Sequence, residues 1–72
     1  EVRMVRSDRY KYIVYAKGEM REQLFDLDLD PGETTNLVQR PEMKTTTEVH
    51  RDMLREWIKQ TGDTFPFVEH VP

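Results

Sequence analysis

The acidic residues of Asp26-Leu27-Asp28-Leu29-Asp30 are spaced at alternate positions, as calcium ligands often are. An EF-hand loop uses oxygen ligands at positions 1, 3 and 5, and it also needs Gly at position 6 and a bidentate Glu at position 12. Counted from Asp26, those two positions are Pro31 and Leu37. The spacing therefore predicts no calcium loop, and the alternation of acidic and apolar residues indicates a half-buried strand.

The sequence also shows no arrangement of residues typical of a catalytic nucleophile or of a metal site. The single serine, Ser7, is predicted to lie in a turn and has no evident His–Asp arrangement to activate it. His50 has no co-ligand at helical spacing, which indicates a half-buried position at a helix edge, and His70 has only Glu69 beside it. The chain contains no Cys, which excludes disulfides and thiolate sites. We therefore expect no stand-alone enzyme and no cofactor bound by this chain.

Basic residues dominate the start of the chain, and four of them are candidates for contact with an anion: Arg3, Arg6, Arg9 and Lys11. Charged side chains lie on solvated surfaces by default, so a solvated sheet face and an anion-binding hairpin are both open. The net charge of −3 argues against binding of nucleic acid or of a membrane surface.

The size of the chain allows one small domain. It has 72 residues, of which 36% are hydrophobic and 35% charged. No apolar run approaches the length of about 18 residues that a membrane span requires. The first residue is Glu1 rather than Met, as expected of a piece of a longer protein.

Three strands are predicted, over residues 2–7, 10–15 and 22–29. The second is the clearest, since Tyr-Lys-Tyr-Ile-Val-Tyr is rich in aromatic and β-branched residues. In the third, Phe25 and Leu27 are the expected inward anchors. Pro31 and Gly32 then predict a type II turn, in which Gly32 takes a positive φ.

One helix is predicted over residues 41–61, followed by a tail over 62–72. Val49, Met53 and Trp57 form an i+4 row, and Leu54 belongs to the next row. We expect Leu54 and Trp57 to anchor the helix on the sheet. The predicted class is therefore α+β, with a small antiparallel sheet of three or four strands packed against one C-terminal helix.

The second strand is apolar on both faces, although one helix covers only one of them. Either Tyr10, Tyr12 and Val14 meet the helix and Ile13 and Tyr15 face outward, or the reverse. This pattern predicts an exposed apolar patch that is the footprint of a missing domain, and possible self-association of the excised chain.

Several short motifs in a fixed order resemble the C-terminal subdomain of the sulfatase family, closest to the glycosaminoglycan and heparan N-sulfatase (sulfamidase) type. They are Arg9-Tyr10-Lys11-Tyr12-Ile13, Gln23-Leu24-Phe25-Asp26-Leu27, Asp30-Pro31-Gly32-Glu33, Asn36-Leu37, Pro41-Glu42, Trp57 and Thr61-Gly62-Asp63. The resemblance covers roughly residues 3 to 63. Leu29 and Arg40 depart from it, where the family usually has a polar residue and an Asp.

The resemblance implies a parent enzyme that hydrolyses sulfate esters or sulfamates with a formylglycine and a calcium ion. It also implies packing against a large catalytic α/β domain and a secreted, periplasmic or lysosomal location. The formylglycine signature Cys/Ser-x-Pro-x-Arg is absent, because Ser7 is followed by Asp8-Arg9-Tyr10-Lys11.

Two functions remain open from the sequence. The first is a non-catalytic subdomain of a sulfatase that helps to shape the substrate cleft. The second is a free-standing interaction module whose basic hairpin binds an anionic glycan or protein. Association with nucleic acid or membrane is expected for neither.

Overall fold

The computed structural model describes residues 2–18 and 21–65. The elements in chain order are β1 (Val2–Arg6), β2 (Tyr10–Tyr15), β3 (Glu22–Asp26), a 3-10 turn (Pro41–Met43) and α1 (Lys44–Thr61). The strands form one antiparallel sheet in the order β1-β2-β3. This arrangement confirms the predicted α+β class with a C-terminal helix, while residues 66–72 of the predicted tail lie outside the described residues.

The register of the sheet sorts its side chains onto two faces. Val5 is paired with Tyr12, and Tyr12 with Leu24. Because side chains alternate along a strand, these residues share one face, and they pack in the core with Leu54 of α1. Met4 and Ile13 are also paired and lie on the opposite face, which α1 does not cover.

The core is small and aromatic at its centre. Tyr12, Leu24 and Leu54 are fully buried, and Val14 and Phe65 complete the cluster. Phe65 follows α1 in the chain, so the start of the predicted tail packs against the domain. Burying a large apolar side chain contributes about 1.5–3 kcal/mol, so the sheet and the helix depend on each other for stability.

The third strand ends at Asp26, three residues earlier than the predicted boundary. The Asp26 carboxylate accepts hydrogen bonds from the backbone N–H groups of Asp28 (3.1 Å) and Leu29 (3.3 Å), which turns the chain. Leu29 is consequently 79% exposed. The predicted continuation of the strand is wrong here because a local side-chain hydrogen bond replaces the ladder.

The turn at Pro31-Gly32 also differs from the prediction. The residue with a positive φ is Glu33 (φ 55°), and Gly32 does not have one. Asp30 explains this conformation, since its carboxylate accepts hydrogen bonds from the backbone N–H groups of Thr34 (2.9 Å) and Thr35 (2.9 Å). A side-chain cap therefore shapes this loop, where a type II turn with Gly at its third position was expected.

Asn36 covers the outer edge of β3. Its Oδ1 accepts the backbone N–H of Leu24 (3.0 Å), and its Nδ2 donates to the carbonyl oxygen of Glu22 (3.1 Å). The next residue, Leu37, donates its N–H to the carbonyl of Leu24 (2.8 Å). These bonds satisfy backbone groups that an edge strand otherwise leaves open.

The helix begins and ends close to the predicted residues. Pro41 opens the 3-10 turn that leads into α1, and Gly62 ends the helix with φ 69°, in the left-handed region. Within the part of the chain that the structure describes, no helix has both the length and the apolar character that a membrane crossing requires.

Candidate functional site

The sheet face opposite α1 carries an exposed apolar surface, which we call the open sheet face and define as Val2, Met4, Ile13 and Tyr15. Met4 is 55% exposed, Val2 and Tyr15 are also exposed, and Ile13 is half-buried. At the other end of this face Lys11 Nζ binds Glu33 of the Pro31–Asn36 loop (3.1 Å), and Phe25 is buried. Of the two orientations that the sequence leaves open for β2, the structure has the one in which Tyr12 and Val14 are buried and Tyr15 is exposed.

The outer edge of β1 adjoins this face. The Ser7 N–H donates to the carbonyl of Tyr10 (2.9 Å). Backbone bonding alternates along an antiparallel pair, so the N–H and C=O groups of Met4 and Arg6 point away from β2. No strand among the described residues pairs with this edge. An open edge beside an apolar face is typical of a surface that another segment covers.

A second apolar surface runs along α1, and we call it the helix row: Val49, Met53 and Trp57. Val49 is 51% exposed and Trp57 46%. The prediction that Trp57 is a buried anchor is therefore wrong. The helix turns about 100° per residue, so the buried residues Thr47, His50 and Leu54 define a stripe beside the helix row, and Leu54 fills the central position.

The four candidate anion-binding residues have different environments. Arg3 forms a bidentate pair with Asp63 (2.6 and 3.0 Å) and lies 5.0 Å from the ring centre of Phe65. Arg9 is paired with Asp26 (2.9 and 2.7 Å), and Lys11 with Glu33. Arg6 is exposed and forms no ion pair within residues 2–18 and 21–65. The structure therefore does not bring these four bases together as a free cationic cluster.

The two arginine ion pairs lower the pKa values of the carboxyl groups that take part in them. The Arg9 guanidinium and two backbone N–H groups lower the pKa of Asp26, although burial opposes them. The Arg3 guanidinium likewise lowers the pKa of Asp63. Both carboxylates join elements that are distant in sequence, so their charge has a structural role in the fold.

A buried polar network that the sequence did not reveal connects the sheet to the helix. Glu22 is 3% exposed, and it accepts two hydrogen bonds from Arg51 (2.6 Å each) and one from the Tyr12 hydroxyl. Burial raises the pKa of Glu22, but the hydrogen bonds from Arg51 and Tyr12 outweigh it and lower that pKa. Burial, together with the Glu22 carboxylate, raises the pKa of Tyr12.

Ser7 and His50 form a second unpredicted pair. The Nδ1 of His50 lies 2.7 Å from the carbonyl oxygen of Thr46, which can only accept, so Nδ1 carries the proton. Nε2 then accepts from the Ser7 hydroxyl at 2.8 Å. His50 is buried, contrary to the half-buried edge position that the sequence predicts. The His50 imidazole is buried, and its second hydrogen-bond partner is a backbone carbonyl where a catalytic triad has a carboxylate. The pair therefore has a structural role, in which it connects the β1–β2 turn to α1.

The predicted structural anchors take different positions. Phe25 and Leu54 are buried, Leu27 is half-buried, and Pro31, Gly32 and Trp57 are exposed. Helical spacing identified the buried residue Leu54 correctly. The alternation of the third strand did not identify its core-facing residue, because Leu24 packs in the core with Leu54 and Phe25 is buried on the opposite face of the sheet. The network of Glu22 and Arg51 had no sequence signal, because its members are 29 residues apart.

Residues 2–18 and 21–65 do not fit the formylglycine or the calcium ion that the sulfatase resemblance implies. No Cys is present and Ser7 does not start a Cys/Ser-x-Pro-x-Arg motif. No group of three or more metal-binding side chains is found among residues 2–18 and 21–65. The candidate functional surfaces are the open sheet face and the helix row.

Comparison with known proteins relates this chain to sulfatases, although no family model matches it. It is 40% identical over 63 residues to a Delta 4,5-hexuronate-2-O-sulfatase of Bacteroides thetaiotaomicron, covering 88% of this chain and 13% of that enzyme. It is 54% identical over 35 residues to arylsulfatase K of Mus musculus, covering 47% of this chain and 6% of that protein.

Two solved structures agree with these sequence matches. One is a sulfatase from Bacteroides thetaiotaomicron, and the other is a 2-O GAG sulfatase. Each superposes with a TM-score of 0.85 at 37% identity, covering 94% of this chain and 14% of the longer one. This chain is therefore similar to a segment that makes up only 13% to 14% of the sulfatases it matches over most of its own length.

Proposed function

We propose that this chain is the non-catalytic C-terminal subdomain of a sulfatase, packed against the catalytic α/β domain of its parent through the open sheet face. The observation that carries the proposal is the disproportion in length: 88% of this chain matches 13% of a sulfatase. The open sheet face supports it, because small monomeric proteins rarely leave such an apolar surface uncovered.

The parent enzyme hydrolyses sulfate esters of glycans in this proposal. The names of two relatives, a hexuronate-2-O-sulfatase and a 2-O GAG sulfatase, support an O-sulfate on a glycosaminoglycan. The sulfamidase subtype that the sequence resembles stays a prediction, as does a secreted, periplasmic or lysosomal parent. Calcium and formylglycine would be held by the catalytic domain.

The alternative function, a free-standing module that binds anions through its basic hairpin, is less well supported. Arg3, Arg9 and Lys11 are each paired with a carboxylate of the same chain. Binding an external sulfate would require these internal pairs to be broken, or would depend on Arg6 alone.

Sulfate release from two samples tests the proposal: the chain alone, and the full polypeptide that carries it. The substrates are a chromogenic aryl sulfate and an unsaturated disaccharide sulfated at O2 of the uronate. We expect release by the full polypeptide and none by the chain alone above a buffer blank. Release by the chain alone contradicts a non-catalytic role, and a full polypeptide without Cys/Ser-x-Pro-x-Arg contradicts the sulfatase parent.

A further inference from the structure

The charged residues of α1 all lie on one side of the helix. At about 100° per residue they span about 140° of its circumference, and they are Lys44, Glu48, Arg51, Asp52, Arg55, Glu56 and Lys59. An amphipathic helix usually has an apolar stripe about 100° wide against its core. Here the uncharged arc is about twice as wide, and its exposed half is the helix row.

The elements that the structure describes, over residues 2–18 and 21–65, leave the helix row uncovered. Val49 is 51% exposed, Trp57 46% and Met53 37%, and the open sheet face lies on the far side of the sheet from α1. A partner that meets only the open sheet face therefore leaves the helix row in solvent. Three large apolar side chains in register at i+4 form a continuous ridge of the kind that packs against another element.

The border of the helix row favours one kind of occupant. On its charged side the row is flanked by Asp52 and Glu56, three residues after Val49 and Met53. Antiparallel pairing of the rows of two copies would bring these acidic borders together, which is unfavourable. An apolar surface with basic side chains beside it complements the row instead.

We infer that the remaining sulfatase polypeptide also covers the helix row, with an apolar surface bordered by Lys or Arg, and so holds the subdomain from two sides. The matched sulfatases are about seven times longer than this chain, so the same polypeptide contains ample surface for this contact. The inference rests on the proposed function but assigns a second, separate contact surface.

Oxidative footprinting of the methionines separates the two contacts without any substitution. Met4 reports on the open sheet face and Met53 on the helix row, and methionine oxidation follows exposure. Both are expected to react in the chain alone, and both to react severalfold more slowly in the full polypeptide. Protection of Met4 without Met53 overturns this inference and leaves the proposed packing intact, whereas protection of neither overturns both.

A substitution provides an independent measurement. Val49→Gln replaces an exposed β-branched residue by a better helix former, so the melting temperature of the chain alone is expected to stay constant or rise slightly. In the full polypeptide the same change places a polar group in the contact and is expected to lower the melting temperature by about 2 °C or more. Lys59→Gln, on the charged side, is the matched control and is expected to change neither.

Measurement of the oligomeric state tests whether a second copy of the chain covers the helix row instead. Sedimentation velocity of the full polypeptide is run at the concentrations used for footprinting. Protection of Met53 that persists in a monomeric species supports the inference. Protection that appears only in a dimer, and is lost with Val49→Gln, assigns the helix row to a second copy and overturns it.

Discussion

Glu22 is a charged side chain in the interior of a very small domain. Its carboxylate is compensated by both donors of the Arg51 fork and by the Tyr12 hydroxyl. A buried ion pair often gives little net stability, yet the removal of one partner leaves the other charge uncompensated. We therefore expect that a substitution of only one partner lowers the free energy of unfolding measurably.

Glu22→Gln is expected to lower the free energy of unfolding by about 3 kcal/mol, because Arg51 and Tyr12 lose a buried charged acceptor. The matched control is Glu48→Gln, which removes the exposed carboxylate that also binds Arg51 and should cost less than about 1 kcal/mol. Urea denaturation measures both. Equal small losses would show that burial does not strengthen the Glu22 pair.

Acid is expected to destabilise the chain. The pKa values of Glu22, Asp26, Asp30 and Asp63 are all lowered in the folded state. The unfolded chain therefore binds more protons below the ordinary carboxyl values of about 4, and stability that is present above this pH is lost as the pH falls further. Urea midpoints at pH 7, 5 and 3 measure this, and a midpoint that is unchanged at pH 3 contradicts it.

Two glycines differ in what they contribute to their elements. Gly62 ends α1 with φ 69°, whereas Gly32 does not have a positive φ. Gly62→Ala is expected to destabilise the chain by about 1 kcal/mol, because a side chain is unfavourable in the left-handed region. Gly32→Ala, which meets only a side-chain methyl group at 3.6 Å, is the control and should be neutral or slightly stabilising. The reverse order in thermal unfolding would contradict this assignment.

At the sheet–helix interface, Leu54 is the anchor of α1. Leu54→Ala is expected to lower the free energy of unfolding of the chain by about 3 kcal/mol, since the side chain is 1% exposed. Trp57→Ala should cost clearly less, because nearly half of that side chain is already in solvent. Denaturation of the two variants side by side measures the ranking. A larger loss for Trp57→Ala would restore it as the anchor that the sequence predicts.

At the scale of the whole molecule, the open sheet face is expected to let the isolated chain associate with other apolar surfaces. We expect the folded chain to bind an apolar dye and to self-associate at high concentration, since this surface has no cover among residues 2–18 and 21–65. Met4→Lys should reduce both effects. Leu29→Lys, at an isolated exposed leucine in a turn, is the control and should leave them unchanged. Sedimentation velocity and dye fluorescence give the readout, and a clean monomer without dye binding would count against a missing partner.

The sequence alone determined the elements whose signals are local. Aromatic and β-branched composition located β2, and helical spacing located α1 and the burial of Leu54. The apolar character of β2 on both faces predicted an uncovered face. Short motifs in order also predicted the sulfatase resemblance, which the comparisons confirm. Each of these signals depends on neighbours within a few residues, so it can be read without coordinates.

Tertiary structure decided the features that depend on distant partners. Asp26 ends β3 because its carboxylate is held by Arg9 and by the following backbone, so the apolar alternation beyond it never becomes a strand. Trp57 lies outside the core because the sheet meets the neighbouring stripe of α1, which is centred on Leu54. These two residues are about 60° apart around the helix axis, and helical spacing alone cannot specify which of them faces the sheet. Glu22 and Arg51 meet only when the sheet and the helix pack, because a buried charge selects a partner by position in space rather than by position in the chain.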